Sequence, residues 1–253
     1  MPITETTFIG ITPTSGKSAF TYAVLDKDLR LLALADGDLD DLIAFVSAQS
    51  SVTVAVNAPA SVNHGVVRES SKREKLTPNQ VSRTNLRLAE HELRRRGITV
   101  SKTPASAAAS PAWMQAGFAL YRALEKSGFK KYPADGAAYQ MLESQPHAAF
   151  CVMTGAVPQP KNSLEGLIQR QLVLFEAGMR IKDPMDFFEE ITRYKMVKGI
   201  FPMELLYLPD QLDSLVAAYT AWLATVKPDR VSALGEISEG MIVLPEKELK
   251  QKY

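Results

Sequence analysis

The sequence has a single cysteine, Cys151, among 253 residues, so neither an intrachain disulfide nor a cysteine-built zinc centre can form. Cys151 lies in the apolar run AAFCVM, where a buried, inert thiol is expected rather than a nucleophile. Histidine is scarce too: His64, His91 and His147 are the only three, with neither HxH nor HExxH spacing, which argues against a histidine-rich metal site. Charge of one sign is also lacking, with 29 Lys and Arg against 28 Asp and Glu and a net charge of +1. That balance argues against a constitutive nucleic-acid coat protein but leaves room for a local basic groove. No apolar run approaches the ~20 residues of a membrane span. The start, MPITETTFIG, has neither the basic nor the apolar region of a secretory signal. A soluble, cytoplasmic chain without a membrane segment is therefore expected. Repeats and low-complexity tracts are absent from the sequence.

What is present is ordinary globular material, 46% hydrophobic and 23% charged, enough to bury a large core. Thr7 to Thr12, Ser18 to Asp26 and Leu29 to Ala35 read as three strands joined by short turns, an antiparallel meander. A helix is expected from Asp38 to Gln49, then a compact apolar strand, Ser51 to Val56, running into Asn57-Ala58-Pro59. Residues 61–85 are polar, rich in Arg, Lys, Ser and Asn, and without apolar periodicity, so a long loop or insertion is expected. Helical patterns follow at Asn85 to Arg96, Ala112 to Ser127 and Pro146 to Met153, then from a cap at Asn162 or Ser163 to Ala177, and from Asp183 to Lys198. A short strand at Ala137 to Leu142 delivers Glu143, and Val231 to Leu234 with Met241 to Leu244 reads as a closing hairpin.

The strongest periodicity is in Pro209 to Val226, where Leu212, Leu215, Val216, Tyr219, Trp222, Leu223 and Val226 make one apolar face. Ala217, Ala218 and Ala221 allow close approach to a neighbouring layer. Asp210 and Asp213 are three residues apart and so lie on one side of this helix, near its start. Two acids there suit the helix dipole, and they can also hold a divalent cation. The segment Gly10 to Ser18 mimics a phosphate-binding P-loop, but it is one residue too long and is followed by a strand pattern instead of a helix. A strand-turn-strand of this kind can still cradle a phosphate on its backbone N–H groups.

The order of elements is that which opens the ribonuclease H-like and actin-like folds. Several segments resemble the domain-of-unknown-function 429 family, usually taken to be ribonuclease H-like nucleases. They are the opening GIT-turn-strand, VAVNAP at Val54 to Pro59, AEHELRRRGI at Ala89 to Ile98, LESQPHAAFCVMTG at Leu142 to Gly155, KNSLEGLIQRQLVL at Lys161 to Leu174, and LDSLVAAYTAW followed by LGEISEGMIVLP. The resemblance implies one ribonuclease H-like α/β domain over residues 1–253, a mixed sheet of three antiparallel strands plus parallel strands with flanking helices. A polar insertion near 61–85 and helical insertions near 109–200 would interrupt it.

The resemblance further implies carboxylates from the first strand, the fourth strand and a late helix, binding Mg²⁺ or Mn²⁺ for phosphodiester hydrolysis. Residue by residue, the first two positions fall on Thr12 and Asn57, which are not acids. The late-helix position falls on Asp213, with Asp210 beside it, and Glu90 and Glu143 match further acidic positions. Asp213, Asp210, Glu90 and Glu143 are thus the catalytic candidates, and Asp213, Asp210, Thr12 and Asn57 the metal-site candidates. Three functions stay open. The chain could be a metal-dependent nuclease with an altered acidic site, or a ribonuclease H-like domain that has lost cleavage and binds nucleic acid or a protein. The third reading is an actin-like enzyme that handles a nucleotide phosphate on the Thr14 to Lys17 turn.

Overall fold

The first strand, β1 (Thr7–Pro13), is buried along its whole length, as a strand covered on both faces must be. It belongs to a computed structural model that describes residues 6–14, 18–69, 82–83 and 86–253. Strand β2 (Phe20–Leu25) runs antiparallel to β1 with Thr21 opposite Thr12, and β3 (Leu31–Gly37) runs antiparallel to β2. The β2–β3 turn places Leu29 at φ 58°, an uncommon conformation for a residue with a Cβ. Asp26 holds that turn, its carboxylate accepting from the N–H groups of Asp28 and Arg30, both at 2.8 Å.

Helix α1 (Leu39–Ser47) is capped by Asp38, whose Oδ1 accepts from the Asp41 N–H at 3.0 Å. It returns the chain to β4 (Val52–Val56), parallel to β1. The stretch expected to be a polar loop contains two short paired strands, β5 (Arg68–Glu69) and β6 (Ser82–Arg83). Residues 70–81 between them lie outside the described ones. Then come α2 (Leu88–Arg95), α3 (Ala112–Lys126), β7 (Lys130–Lys131), β8 (Tyr139–Ser144) and α4 (Pro146–Thr154). Helix α5 (Leu164–Glu176) follows, with Ser163 Oγ accepting from the Gly166 N–H at 3.1 Å.

The helical stretch expected from Asp183 to Lys198 is broken into α6 (Asp186–Glu189) and α7 (Arg193–Lys198). The break falls at Thr192, which is extended and caps α7 by accepting from the Lys195 N–H at 3.2 Å. Helix α8 (Pro209–Val226) and the hairpin β9 (Ser232–Glu236) to β10 (Gly240–Leu244) complete the chain.

The main sheet runs β3-β2-β1-β4-β8-β10-β9, with β7 also paired to β8. Strands β4 and β8 are parallel to β1, and β10 is parallel to β8. This is the ribonuclease H-like arrangement of an antiparallel meander followed by parallel strands, flanked by helices. One face carries a core built with α4, α5 and α8, including Phe8, Ala55, Leu142, Phe150, Leu167 and Leu215. The other carries a core built with α1 and α3, including Ile9, Ile11, Val54, Val56, Met141 and Leu120. Among the described residues no helix is long and apolar enough to cross a membrane.

The alternation of side chains along a strand now decides what can meet what. Phe8 faces α8, so Gly10 and Thr12 do too, while Ile9 and Ile11 face away. On β4, Ala55 faces α8, which directs Asn57 just beyond it to the same side. Helix α8 approaches so closely that a Cβ on Gly10 would lie 2.0 Å from the Ser214 carbonyl oxygen. Its own seat is apolar, with Leu212, Leu215, Val216 and Ala217 fully buried. Each of the larger ones contributes roughly 1.5–3 kcal/mol by burial.

Candidate functional site

The carboxyl ends of β1, β4 and β8 open into one cleft of about 680 Å³, the edge at which open α/β sheets bind ligands. Thr12, Pro13 and Thr14 line it from β1, Asn57 from the end of β4, and Gln145 to His147 from the end of β8 and the start of α4. Asp210 and Asp213 reach it from the first turns of α8, and Trp113 from the start of α3. Residues Thr12, Asn57, Asp210 and Asp213, singled out from the sequence, are therefore brought to one place. The Thr12 hydroxyl is buried and has no hydrogen-bond partner among the described residues.

A side chain that the sequence did not single out sits among them. The Lys161 Nζ lies 3.2 Å from Asp213 Oδ2 and 3.6 Å from Asp210 Oδ1. Lys161 comes from the loop between α4 and α5, which Pro158 and Pro160 stiffen. Arg170 on α5 fastens that loop by donating to the Gln159 carbonyl at 2.7 Å, and Gln169 Oε1 accepts from the Gln159 N–H at 2.8 Å. A Cβ on Gly166 would collide with the Pro160 carbonyl oxygen at 1.9 Å, so the loop is packed directly on the helix.

The charges respond to this packing. Burial lifts the Asp213 carboxyl above the ordinary aspartate range, with the Lys161 ammonium pulling it back. Burial draws the Lys161 ammonium down, but Asp213 and Asp210 outweigh it and leave it above the usual lysine value. Burial lowers the Arg170 guanidinium, opposed by the Asp213 charge. His147 is lowered by burial and then by Arg170 and Lys161, so its imidazole is neutral at pH 7. Its Nε2 lies 3.8 Å from Cys151 Sγ; that thiol is fully buried and pushed up to about 11 by burial.

Glu90 and Glu143 are engaged elsewhere. Glu143 shares the sheet face of Met141, the side of α1 and α3, opposite to the side on which Thr12 and Asp213 meet. It pairs with both terminal nitrogens of Arg87 and accepts from the Ala60 N–H at 2.9 Å. Glu90 accepts from Arg87 Nε at 2.9 Å, from the Arg87 N–H at 3.1 Å, and from the Thr103 hydroxyl and N–H. Glu239 extends the cluster: its carboxylate accepts from the N–H groups of His64, Val66 and Leu88, and its carbonyl from Arg87. Every one of these carboxylates is buried and partnered, so they knit α2, β8 and the β9–β10 turn together instead of adding charge to the cleft.

A divalent ion of the magnesium type needs several hard oxygens in near-octahedral array at about 2.0–2.1 Å. At positions 12, 57, 210 and 213 the cleft offers two carboxylates, one hydroxyl and one carboxamide, and the ammonium of Lys161 already bridges the carboxylates. No group of three or more His, Cys, Asp or Glu able to hold a metal occurs among the described residues. This donor set does not fit a pair of ions. Of the Thr14 to Lys17 turn, residues 15–17 lie outside the described ones; Thr14 is held by the Ala19 carbonyl through its N–H at 2.8 Å and donates its hydroxyl to the Ser18 carbonyl at 2.6 Å.

Lys161, Arg170, His147 and Trp113 were not singled out as site residues. The first three fall inside the segments at Leu142 to Gly155 and Lys161 to Leu174 that carried the family resemblance, which was the available signal. No curated protein and no solved structure matches this chain. The family model described as "Protein of unknown function (DUF429)" matches residues 15–238, and the chain belongs to that family.

Proposed function

We propose that this chain is a ribonuclease H-like domain whose cleft binds a nucleic-acid strand and does not cut it by two-ion chemistry. The observation that carries this reading is the Lys161 ammonium lodged between Asp210 and Asp213, where a catalytic cation would need to sit. Thr12 and Asn57 at the neighbouring positions remove the anionic ligands that could compete with it. An ammonium has three donors, so with two directed at the carboxylates the third remains for a phosphate oxygen at the open side. Trp113 on the cleft wall supplies a face for an unpaired base. Gln145, Gln159 and Ser101 supply neutral hydrogen-bonding groups.

The nuclease reading keeps one observation of its own. The Thr12 hydroxyl, unpartnered among the described residues, lies in the same cleft as Asp213, and the Lys161 side chain is 45% exposed and so able to move aside. Asp210, Asp213, Thr12 and Asn57 would then be the residues to hold a single Mg²⁺ or Mn²⁺ for phosphodiester hydrolysis.

One experiment separates the two. Labelled single- and double-stranded RNA and DNA oligonucleotides are titrated with the protein in EDTA and in Mg²⁺, reading anisotropy and then product length. The binding reading expects saturable, salt-dependent affinity, unchanged by EDTA, with intact oligonucleotide and at least tenfold weaker binding for Lys161→Glu. No binding at low salt would overturn it. Cleavage that requires Mg²⁺ or Mn²⁺ and disappears in Asp213→Asn would establish the nuclease instead.

A further inference from the structure

The segment 185–203, none of whose residues lines the cleft, exposes an unusual amount of apolar surface. Of the fourteen exposed large hydrophobic residues among the described ones, eight fall within it. Tyr194 is 68% and Val197 79% exposed, with Phe188, Met196, Ile200 and Phe201 alongside. Clustered exposure of this kind marks an interaction face. The face is also built on a firm base. Phe187 is buried beneath it, edge-on to Phe188 at 5.6 Å and stacked on Phe201 at 6.5 Å. Gln171 on α5 clamps both flanks by donating to the carbonyls of Lys182 at 2.9 Å and Leu205 at 3.0 Å. Gly199 closes α7 in the left-handed conformation at φ 65°.

The charge pattern says what fits there. Residues 185–203 contain three acids, Asp186, Glu189 and Glu190, followed by three bases, Arg193, Lys195 and Lys198. The net charge is zero, so a polyanion or an anionic lipid surface gains nothing overall from this face. The acids would oppose either one. The signs are instead separated, acids on and just after α6 and bases on α7, and among the described residues only one of these groups' pairs closes, Lys195 with Glu190 at 2.9 Å. Asp186, Glu189, Arg193 and Lys198 are exposed and form no ion pair among the described residues. A surface with exposed apolar side chains, its acids on and just after α6 and its bases on α7, can complement a second copy of itself under a two-fold rotation. The α6 acids of one copy then meet the α7 bases of the other.

We propose that a second copy of this chain docks on this face, giving a two-fold dimer through α6, α7 and the residues that follow to Met203. The proposal is independent of the cleft and of any nucleic acid. Sedimentation velocity over a wide range of concentration tests it on the full chain. The wild type is expected to show a reversible monomer–dimer equilibrium. Val197→Asp should remain monomeric at every concentration while keeping the wild-type circular dichroism spectrum. Two doubly reversed variants guard against misfolding as an explanation. Asp186→Lys with Glu189→Lys, and Arg193→Glu with Lys198→Glu, should each self-associate at least tenfold more weakly than wild type. Mixed together, they should recover the dimer. A wild type that stays at monomer mass throughout, or a Val197→Asp variant that dimerises as tightly as wild type, overturns the proposal, as does a mixture no more associated than its components.

Discussion

The carbonyl oxygen of Ser214 occupies the space that a side chain on Gly10 would need, 2.0 Å from an ideal Cβ. The Ala218 backbone nitrogen lies 2.3 Å from the same point. The clash is with helix backbone, which cannot rotate away as a side-chain tip can. This contact sets how closely α8 approaches β1, and therefore how near Asp213 comes to Thr12. Gly10→Ala is expected to cost at least about 3 kcal/mol, the upper end of overpacking effects, read as a lowered urea midpoint.

Arg87 gives a second stability prediction. It is the cation for both Glu90 and Glu143 in a buried cluster. Arg87→Met leaves those carboxylates without it and should cost about 3–5 kcal/mol. Urea unfolding measures this, and a loss below about 1 kcal/mol would show that the cluster is not a structural clamp.

Thr12→Val should behave in the opposite way. The Thr12 hydroxyl donates to nothing among the described residues, so replacing it by a methyl removes no hydrogen bond and relieves a buried polar group. Stability should be unchanged or raised by about 1 kcal/mol, while affinity for the oligonucleotide falls if that hydroxyl serves the ligand. Thermal melting and anisotropy on the same sample separate the two effects.

Cys151 supplies a pH dependence. Its thiol is held up to about 11 against an ordinary value of 9.0, by burial first, with Arg170 opposing. The folded protein therefore keeps a proton that the unfolded chain releases as pH rises above 9.0. Stability from this group is complete below that pH and is lost as pH climbs toward the folded value. Comparing urea midpoints of wild type and Cys151→Ala at neutral and alkaline pH should show a decline specific to wild type. Iodoacetamide at neutral pH should label Cys151 only after unfolding.

Much of the fold was legible because it rests on short-range patterns. The β-branched runs of β1 and β4 and the apolar face of α8 from Leu212 to Leu223 each follow from residues close in sequence. The convergence of Thr12, Asn57 and Asp213 was legible only through the family resemblance. The physical reason they converge is strand alternation, which sends Thr12 and Asn57 to the side of α8. The same alternation turns Glu143 to the other side, and a choice of sheet face depends on register that one strand alone does not specify. Lys161 was hidden for a different reason. It meets Asp213 across 52 residues of chain, and Arg87 meets Glu143 across 56. Pairings at that distance are decided by how layers pack, and neither periodicity nor capping reports on them.

The most direct test of the central claim is Mn²⁺ binding followed by electron paramagnetic resonance on wild type and on Lys161→Ala. If the Lys161 ammonium holds the cation's place between Asp210 and Asp213, wild type leaves the free Mn²⁺ signal undiminished, and Lys161→Ala takes up one ion that Asp213→Asn added to it abolishes. Stoichiometric Mn²⁺ uptake by wild type, lost in Asp213→Asn, would contradict the claim.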